Sequence, residues 1–296
     1  MTRTGFFAIV GRPNVGKSTL LNALLGEKVA ITSAKPQTTR NRITGILTEG
    51  EDQYVFLDTP GMHKPRTKLG DYMVRTVNGA IGDVDAAVLV VEAEHGISPV
   101  EENLIARFRQ MELPAILVIN KTDRSNAERI GRTIALYAEK YDFAAVIPIS
   151  AIKNDGVEIV KQEASKFLQQ GQFCFPADQI TDQPERQIAS EIIREKLLRT
   201  MNDEIPHGTA VVIESFEEKK DLIRIRAEIY CEKESHKGMI IGRHGEQLKR
   251  VGSYARQDME AFFGVRVFLD LWVRVKENWR DSVAGVSNFG YKKEDL

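Results

Sequence analysis

Only two cysteines, Cys174 and Cys231, occur in 296 residues, which excludes a disulfide framework. Neither sits in a Cys-x-x-Cys or Cys/His spacing, so no zinc site is expected, and a reducing cytoplasm is the expected compartment. Long apolar runs are also missing; none approaches the ~20 residues needed to span a bilayer. The N-terminal run, residues 6–10, is cut off by Gly11, Arg12, Pro13 and Asn14, too soon for a signal peptide. It reads as a strand, with nothing before it to serve as a transit peptide. Charge of one sign is lacking as well: 41 Lys and Arg oppose 42 Asp and Glu. Any site for a polyanion must therefore come from local clustering. There is no fixed-period repeat and no low-complexity segment. The length exceeds that of one average domain, and about two are expected.

What is present in the first half is an alternation of short β-branched apolar runs with amphipathic segments, the pattern of a parallel sheet covered by helices. The runs fall at 6–10, 54–57, 86–91, 115–119 and 145–149. A less continuous one at 43–48 suits the sheet edge. Helices are expected at 17–25, 99–110, 127–141 and 155–169. Gly171, Pro176 and Pro184 then break the rhythm, so residues 1–172 read as one domain and 173–184 as a linker. From 185 the order changes to helix 185–201, strands 209–216 and 222–230, and a short helix near 236–241. A glycine-flanked turn at 242–245, a helix to about 262 and a strand at 265–275 complete this half. The tail, 277–296, carries Trp279, Phe289 and Tyr291 and is too aromatic to be read as disordered.

Residues 11–18, GRPNVGKS, match G-x-x-x-x-G-K-[ST] between a strand and a helix, the context that makes this pattern a phosphate-binding loop. Gly11 and Gly16 let the backbone N–H groups of Asn14, Val15, Lys17, Ser18 and Thr19 converge on phosphate oxygens. The Lys17 ammonium suits the β- and γ-phosphates, and the Ser18 hydroxyl suits Mg2+. Asp58 and Gly61 follow a strand end in the order D-x-x-G, with the carboxylate able to hold the Mg2+ shell and the Gly61 N–H able to sense a γ-phosphate. Asn120, Lys121 and Asp123 form N-K-x-D at the next strand end. One carboxylate, Asp123, accepts from both the guanine ring N–H and its exocyclic amine, a donor pair that adenine lacks. The Lys121 stem can lie over the base, and Asn120 can tie this loop to the first. Ser150 and Ala151, at another strand end, place a backbone N–H for the guanine carbonyl. In the basic segment 34–42 a threonine completes the Mg2+ shell; Thr39 is preferred to Thr38.

Together these motifs resemble the Ras-like P-loop GTPases. Asn14, Thr38-Thr39-Arg40 and Asp58-Thr59-Pro60-Gly61 are similar to the bacterial Era/EngA/MnmE branch. The resemblance implies GTP and GDP as ligands and GTP hydrolysis with Lys17, Thr39, Asp58, Gly61 and Asn14 about the reacting phosphate. It also implies Mg2+ held by Ser18, Thr39 and Asp58. Where Ras-like members carry a glutamine after the glycine, this chain has Met62, whose thioether cannot orient water. Slow intrinsic turnover is therefore expected, with K+ beside Asn14 implied as an activator.

In the second half, Gly242-Arg243-His244-Gly245 joins two helices, and two glycines three apart let a phosphate backbone approach both helix ends. From 237 to 256 there are five basic residues (Lys237, Arg243, Lys249, Arg250, Arg256) against Glu246 alone, a local field suited to a polyanion. This half resembles a KH domain of type II, at 185–276, with Ile240, Ile241 and Leu248 under single-stranded bases. One P-loop GTPase domain followed by one KH domain is similar to the Era family over essentially the whole chain. The expected fold is thus α/β, a P-loop GTPase with a mostly parallel sheet and helices on both faces, followed by an α+β type II KH domain. The resemblance implies binding near the 3′ end of small-subunit ribosomal RNA and action in maturation of the small ribosomal subunit, by a monomer. An RNA-binding scaffold with structural nucleotide, and a peripheral-membrane signalling GTPase with its basic face on the inner face of the cell membrane, are the alternatives.

Overall fold

The alternation of apolar runs becomes a sheet because each run can bury both faces. The computed structural model describes residues 1–62, 65–93, 96–201 and 205–291. Its first half runs β1 (Arg3–Val10), α1 (Lys17–Leu25), β2 (Ile43–Glu49), β3 (Asp52–Asp58), α2 (Lys68–Gly82), β4 (Ala86–Glu92), α3 (Pro99–Met111), β5 (Ala115–Asn120), α4 (Ala127–Ala138), β6 (Ala145–Pro148), α5 (Val157–Ala164) and β7 (Gln169–Gln170). The sheet order is β2-β3-β1-β4-β5-β6, with β7 antiparallel to β1. All other pairs are parallel except β2 with β3, which leaves β2 on an edge. Alternate residues feed two cores: Phe7, Ile9, Val88 and Val90 meet α1 and α5, whereas Ala8, Val10, Leu89 and Val91 meet α2, α3 and α4. Each fully buried aliphatic side chain contributes about 1.5–3 kcal/mol, so both faces must be covered for the sheet to persist.

α2 is absent from the sequence reading. Its interior holds Gly70, Thr76, Asn78 and Gly79, poor helix formers. What makes it a helix is the row Leu69, Met73, Val77, Ala80 and Ile81, all nearly inaccessible, at the spacing of one helical face. GTP is expected to order residues 31–42 and 58–70, and of these residues 63–64 lie outside the described ones.

By proximity, Met1–Pro65 and Tyr72–Asp182 form one compact unit, and Arg66–Asp71 with the described residues from Gln183 onward form another. The segment 173–182, part of the expected linker, is strapped to the first unit. The buried Gln53 side chain donates to Phe175 O at 2.8 Å and accepts from the N–H groups of Cys174 and Phe175. Ile46 N–H donates to Ile180 O at 2.9 Å and the Thr181 hydroxyl to Thr44 O at 2.7 Å, which covers part of the β2 edge.

The second half runs α6 (Glu185–Thr200), β8 (Ala210–Lys219), β9 (Leu222–Cys231), α7 (Glu234–Ile241), α8 (Glu246–Phe263), β10 (Arg266–Val275) and α9 (Val283–Asn288). The sheet order is β10-β9-β8, with β10 parallel and β8 antiparallel to β9. Ile223, Ile225, Ala227 and Ile229 point into a core shared with Ile188, Ile192, Ile193 and Leu197 of α6 and Val251, Ala255 and Met259 of α8. The tail docks through Trp279, whose indole N–H donates to Gly208 O at 3.0 Å and whose ring meets Phe289 and Tyr291. Residues 292–296 of the expected tail lie outside the described residues.

Candidate functional site

The loop between β1 and α1 is shaped by close approach. Gly16 has φ +99°, and a Cβ there would lie 2.2 Å from Asn120 Nδ2, so only glycine fits. Asn120 sits at that spot because its side chain bridges two loops, donating to Val15 O at 2.8 Å and accepting from Ala151 N–H at 3.0 Å. Val15 itself is buried in the first core. α1 starts from Gly16 with no side-chain cap, so its first-turn N–H groups, Thr19 among them, face a ligand with their partial positive charge intact. Asn14 holds φ 65° and donates its side-chain amide to Ala34 O at 2.9 Å, which links the loop to the segment 34–42.

Lys17 is buried, with its ammonium on Arg12 O at 2.9 Å and Gly11 O at 3.3 Å. Burial pushes it down to about 8, partly offset by Asp58. The three expected metal ligands converge. The Ser18 hydroxyl lies 2.8 Å from that of Thr39 and donates to Asp58 Oδ2 at 2.6 Å, and Thr39 donates to the same oxygen at 3.4 Å. Thr38 turns elsewhere, its hydroxyl donating to Lys35 O at 2.7 Å. Burial pushes the Asp58 carboxyl up to about 6, against the pull of Lys17 and the two hydroxyls. Asp58 Oδ1 is buried with no hydrogen-bond partner. An orphaned carboxylate oxygen beside two hydroxyls fits a hard, oxygen-seeking cation such as Mg2+. Gly61 packs on Pro13, and the next N–H, of Met62, donates to Gly11 O at 3.1 Å. The Met62 side chain packs against the second core.

On the base side, Asp123 accepts the Ser150 hydroxyl at 2.7 Å, a bond that holds its carboxyl below the usual range. It is thus an ionised acceptor at the pH where guanine presents two donors. Lys121, at φ 65°, donates to Asn14 O at 2.6 Å and pairs with Glu92. Glu92 is a residue that sequence reasoning missed. Its signal was available in position alone, since it ends β4 directly opposite Asn120 in the register.

In the second unit Gly242 closes α7 with φ +75°, and a Cβ there would lie 2.6 Å from Gln247 Cβ and 3.0 Å from Gln247 N. The turn is tightened by Gly245 N–H donating to Gly242 O at 3.2 Å, and α8 starts from Gly245, again without a side-chain cap. Arg243, His244 and Lys249 are exposed, and Ile241 and Leu248 are half-buried. Lys237 is partly exposed and loosely paired with Glu234. Ile240 is a correction to the expected base-facing set. It is fully buried in the second unit's core, whereas its neighbour Met239 is 49% exposed. Successive helical residues point about 100° apart, and here that step turns Ile240 into the core and leaves Ile241 half-buried at its margin.

A phosphate-cradling loop, a buried oxygen donor set and a paired-acceptor base site on this sheet define a P-loop GTPase, here followed by a KH-type module. Residues 6–121 match the family model described as 50S ribosome-binding GTPase, and residues 204–280 match that of the KH domain. The chain is 47% identical over 291 residues to GTPase Era of Ruminiclostridium cellulolyticum, covering 98% of each. It is 48% identical to GTPase Era of Caldanaerobacter subterraneus subsp. tengcongensis, with the same coverage. Two solved structures are similar along 98% of this chain and 99% of their own, each with a TM-score of 0.94. One is Era in complex with MgGDPNP and nucleotides 1506–1542 of 16S ribosomal RNA, at 37% identity. The other is a variant of Aquifex aeolicus Era bound to GDP·AlF4−, at 38% identity. The chain belongs to the Era family of GTPases.

Proposed function

We propose that this chain is a GTP-driven switch that binds small-subunit ribosomal RNA near its 3′ end and acts in assembly of the small ribosomal subunit. The observation that carries the reading is the likeness, along 98% of the chain, to a solved Era that holds MgGDPNP and 16S RNA together. The Gly242–Gly245 turn lies within the KH match at residues 204–280, and the 16S complex favours the small subunit over the 50S description, which matches residues 6–121 alone. Ser18, Thr39 and Asp58 would hold Mg2+, which when bound neutralises phosphate charge. Lys17 contacts the β- and γ-phosphates, and the Gly61 N–H the γ-phosphate. Arg243, His244, Lys249 and Lys237 take RNA phosphates, with Ile241, Leu248 and Met239 beneath the bases. Crosslinking to total cellular RNA in the GTP state tests this. Recovery of the 3′ end of small-subunit RNA is expected; enrichment of other RNA without that segment would overturn it.

Met62 brings no hydrogen-bonding group to the attacking water, so charge neutralisation beside Asn14 carries more of the hydrolysis. K+ is the proposed activator. Replacing K+ by Na+ at constant ionic strength is expected to slow turnover by about tenfold or more, the scale of losing one electrostatic contact at a reacting phosphate. Unchanged turnover would remove K+ from the account. The proposed setting is the cytoplasm, with the chain a monomer. A peripheral contact with the inner face of the cell membrane is the proposed additional setting; no helix among the described residues is long and apolar enough to cross a membrane.

A further inference from the structure

The Arg12 side chain has no part in the contacts assigned above to phosphate, base or cation. Its Nε–H donates to Glu101 Oε1 at 2.7 Å. Arg12 is 23% exposed and Glu101 is 0% exposed. Glu101 lies in the first turn of α3. Its other oxygen accepts the Ser98 N–H at 2.7 Å, while the Ser98 hydroxyl accepts the Glu101 N–H at 3.4 Å, a reciprocal cap. The hydroxyl of buried Tyr137, in α4, also bonds the Glu101 carboxylate; burial first and that negative charge second push the phenol up. A capping glutamate is ordinarily solvated. Here its charge is out of water and its counter-ion is supplied by the phosphate loop. A buried carboxylate is costly without a cation, so Arg12 is held wherever α3 and α4 hold Glu101.

What Arg12 anchors is the stretch that both reacting-phosphate contacts lean on. Arg12 O and Gly11 O receive the Lys17 ammonium, and Gly11 O receives the Met62 N–H. Gly61 abuts Pro13 so closely that a Cβ would lie 2.5 Å from Pro13 Cα. We propose that Glu101 is a positioning residue for the γ-phosphate half of the nucleotide site, acting through Arg12 on residues 11–13. Lys17 and Gly61 are set against that stretch, so breaking the pair costs GTP more than GDP. The inference rests on guanine-nucleotide binding alone and is independent of the RNA reading.

The test is a double-mutant cycle of Glu101→Gln and Arg12→Gln. Affinities for labelled GDP and for a non-hydrolysable GTP analogue are read out, with kcat, KM and thermal midpoint alongside. Each single variant is expected to weaken the GTP analogue by about tenfold and GDP by less than about threefold, and the double variant to lose no more than either single. Arg12→Lys, which keeps the charge, is expected to regain most of the loss. Equal losses for the two nucleotides, or a double loss equal to the product of the singles, would overturn the proposal. Should Glu101→Gln fail to fold, the partly exposed Arg12→Gln with its lysine rescue decides by the same GTP-to-GDP comparison.

Discussion

Asp123→Asn is expected to lower GTP affinity by about three orders of magnitude, roughly 4 kcal/mol, and to shift preference toward xanthosine triphosphate. The reason lies in the hydrogen-bond inventory. Guanine offers a ring N–H and an exocyclic amine side by side, and the Asp123 carboxylate is two acceptors. An asparagine amide is one acceptor and one donor, so one guanine donor faces another donor. Xanthine has an oxygen in place of the amine and matches that amide. The Ser150 hydroxyl, 2.7 Å from Asp123 Oδ1, keeps the side chain in place for the exchange. Competition binding of GTP, ATP and xanthosine triphosphate against labelled GDP checks the result. Loss of GTP affinity with no gain for xanthosine triphosphate would mean that Asp123 supports the loop without reading the base.

Gly242→Asp is expected to weaken RNA binding by about a hundredfold or more while nucleotide binding persists. Three effects act together. A side chain at φ +75° costs about 1–2 kcal/mol, its Cβ meets Gln247 at 2.6 Å, and its carboxylate enters the cluster of cations proposed to take RNA phosphates. Gly245→Ala is the milder control. Its φ is +78°, but nothing lies within 4 Å of an added Cβ, so it is expected to lose only the backbone term. Filter binding to a 3′-terminal small-subunit RNA fragment, with circular dichroism to confirm folding, separates the variants. Equal losses for both would indicate that the turn matters through its backbone alone.

The nucleotide site was legible because its chemistry is local: each motif sits at a strand end, where a few consecutive residues must meet one ligand. The same is true of the Gly242–Gly245 turn. What the sequence hid depends on partners distant along the chain. Residues 173–182 read as linker because nothing nearby reveals that Gln53 will bind Cys174 and Phe175. Helix α2 was hidden by its glycines, although the spacing of Leu69, Met73 and Val77 was there to be found. β7 is two residues long and exists through its pairing with β1. Ile240 and Ile241 are equally apolar, and only the seating of α7 on the sheet decides which is buried. Glu101 drew no reading from the sequence, because its partner Arg12 lies 89 residues away.

Nucleotide state is proposed to govern RNA binding at the Gly242–Gly245 turn. A ligand shifts an equilibrium only by its differential affinity for the two states, so coupling must appear as a difference in RNA affinity. The direct measurement is the dissociation constant of the 3′-terminal RNA fragment with GDP and with a non-hydrolysable GTP analogue, each with Mg2+. Tenfold or greater tightening with the GTP analogue, on the order of 1.4 kcal/mol of coupling, is the predicted result; equal affinity in the two states would contradict the account.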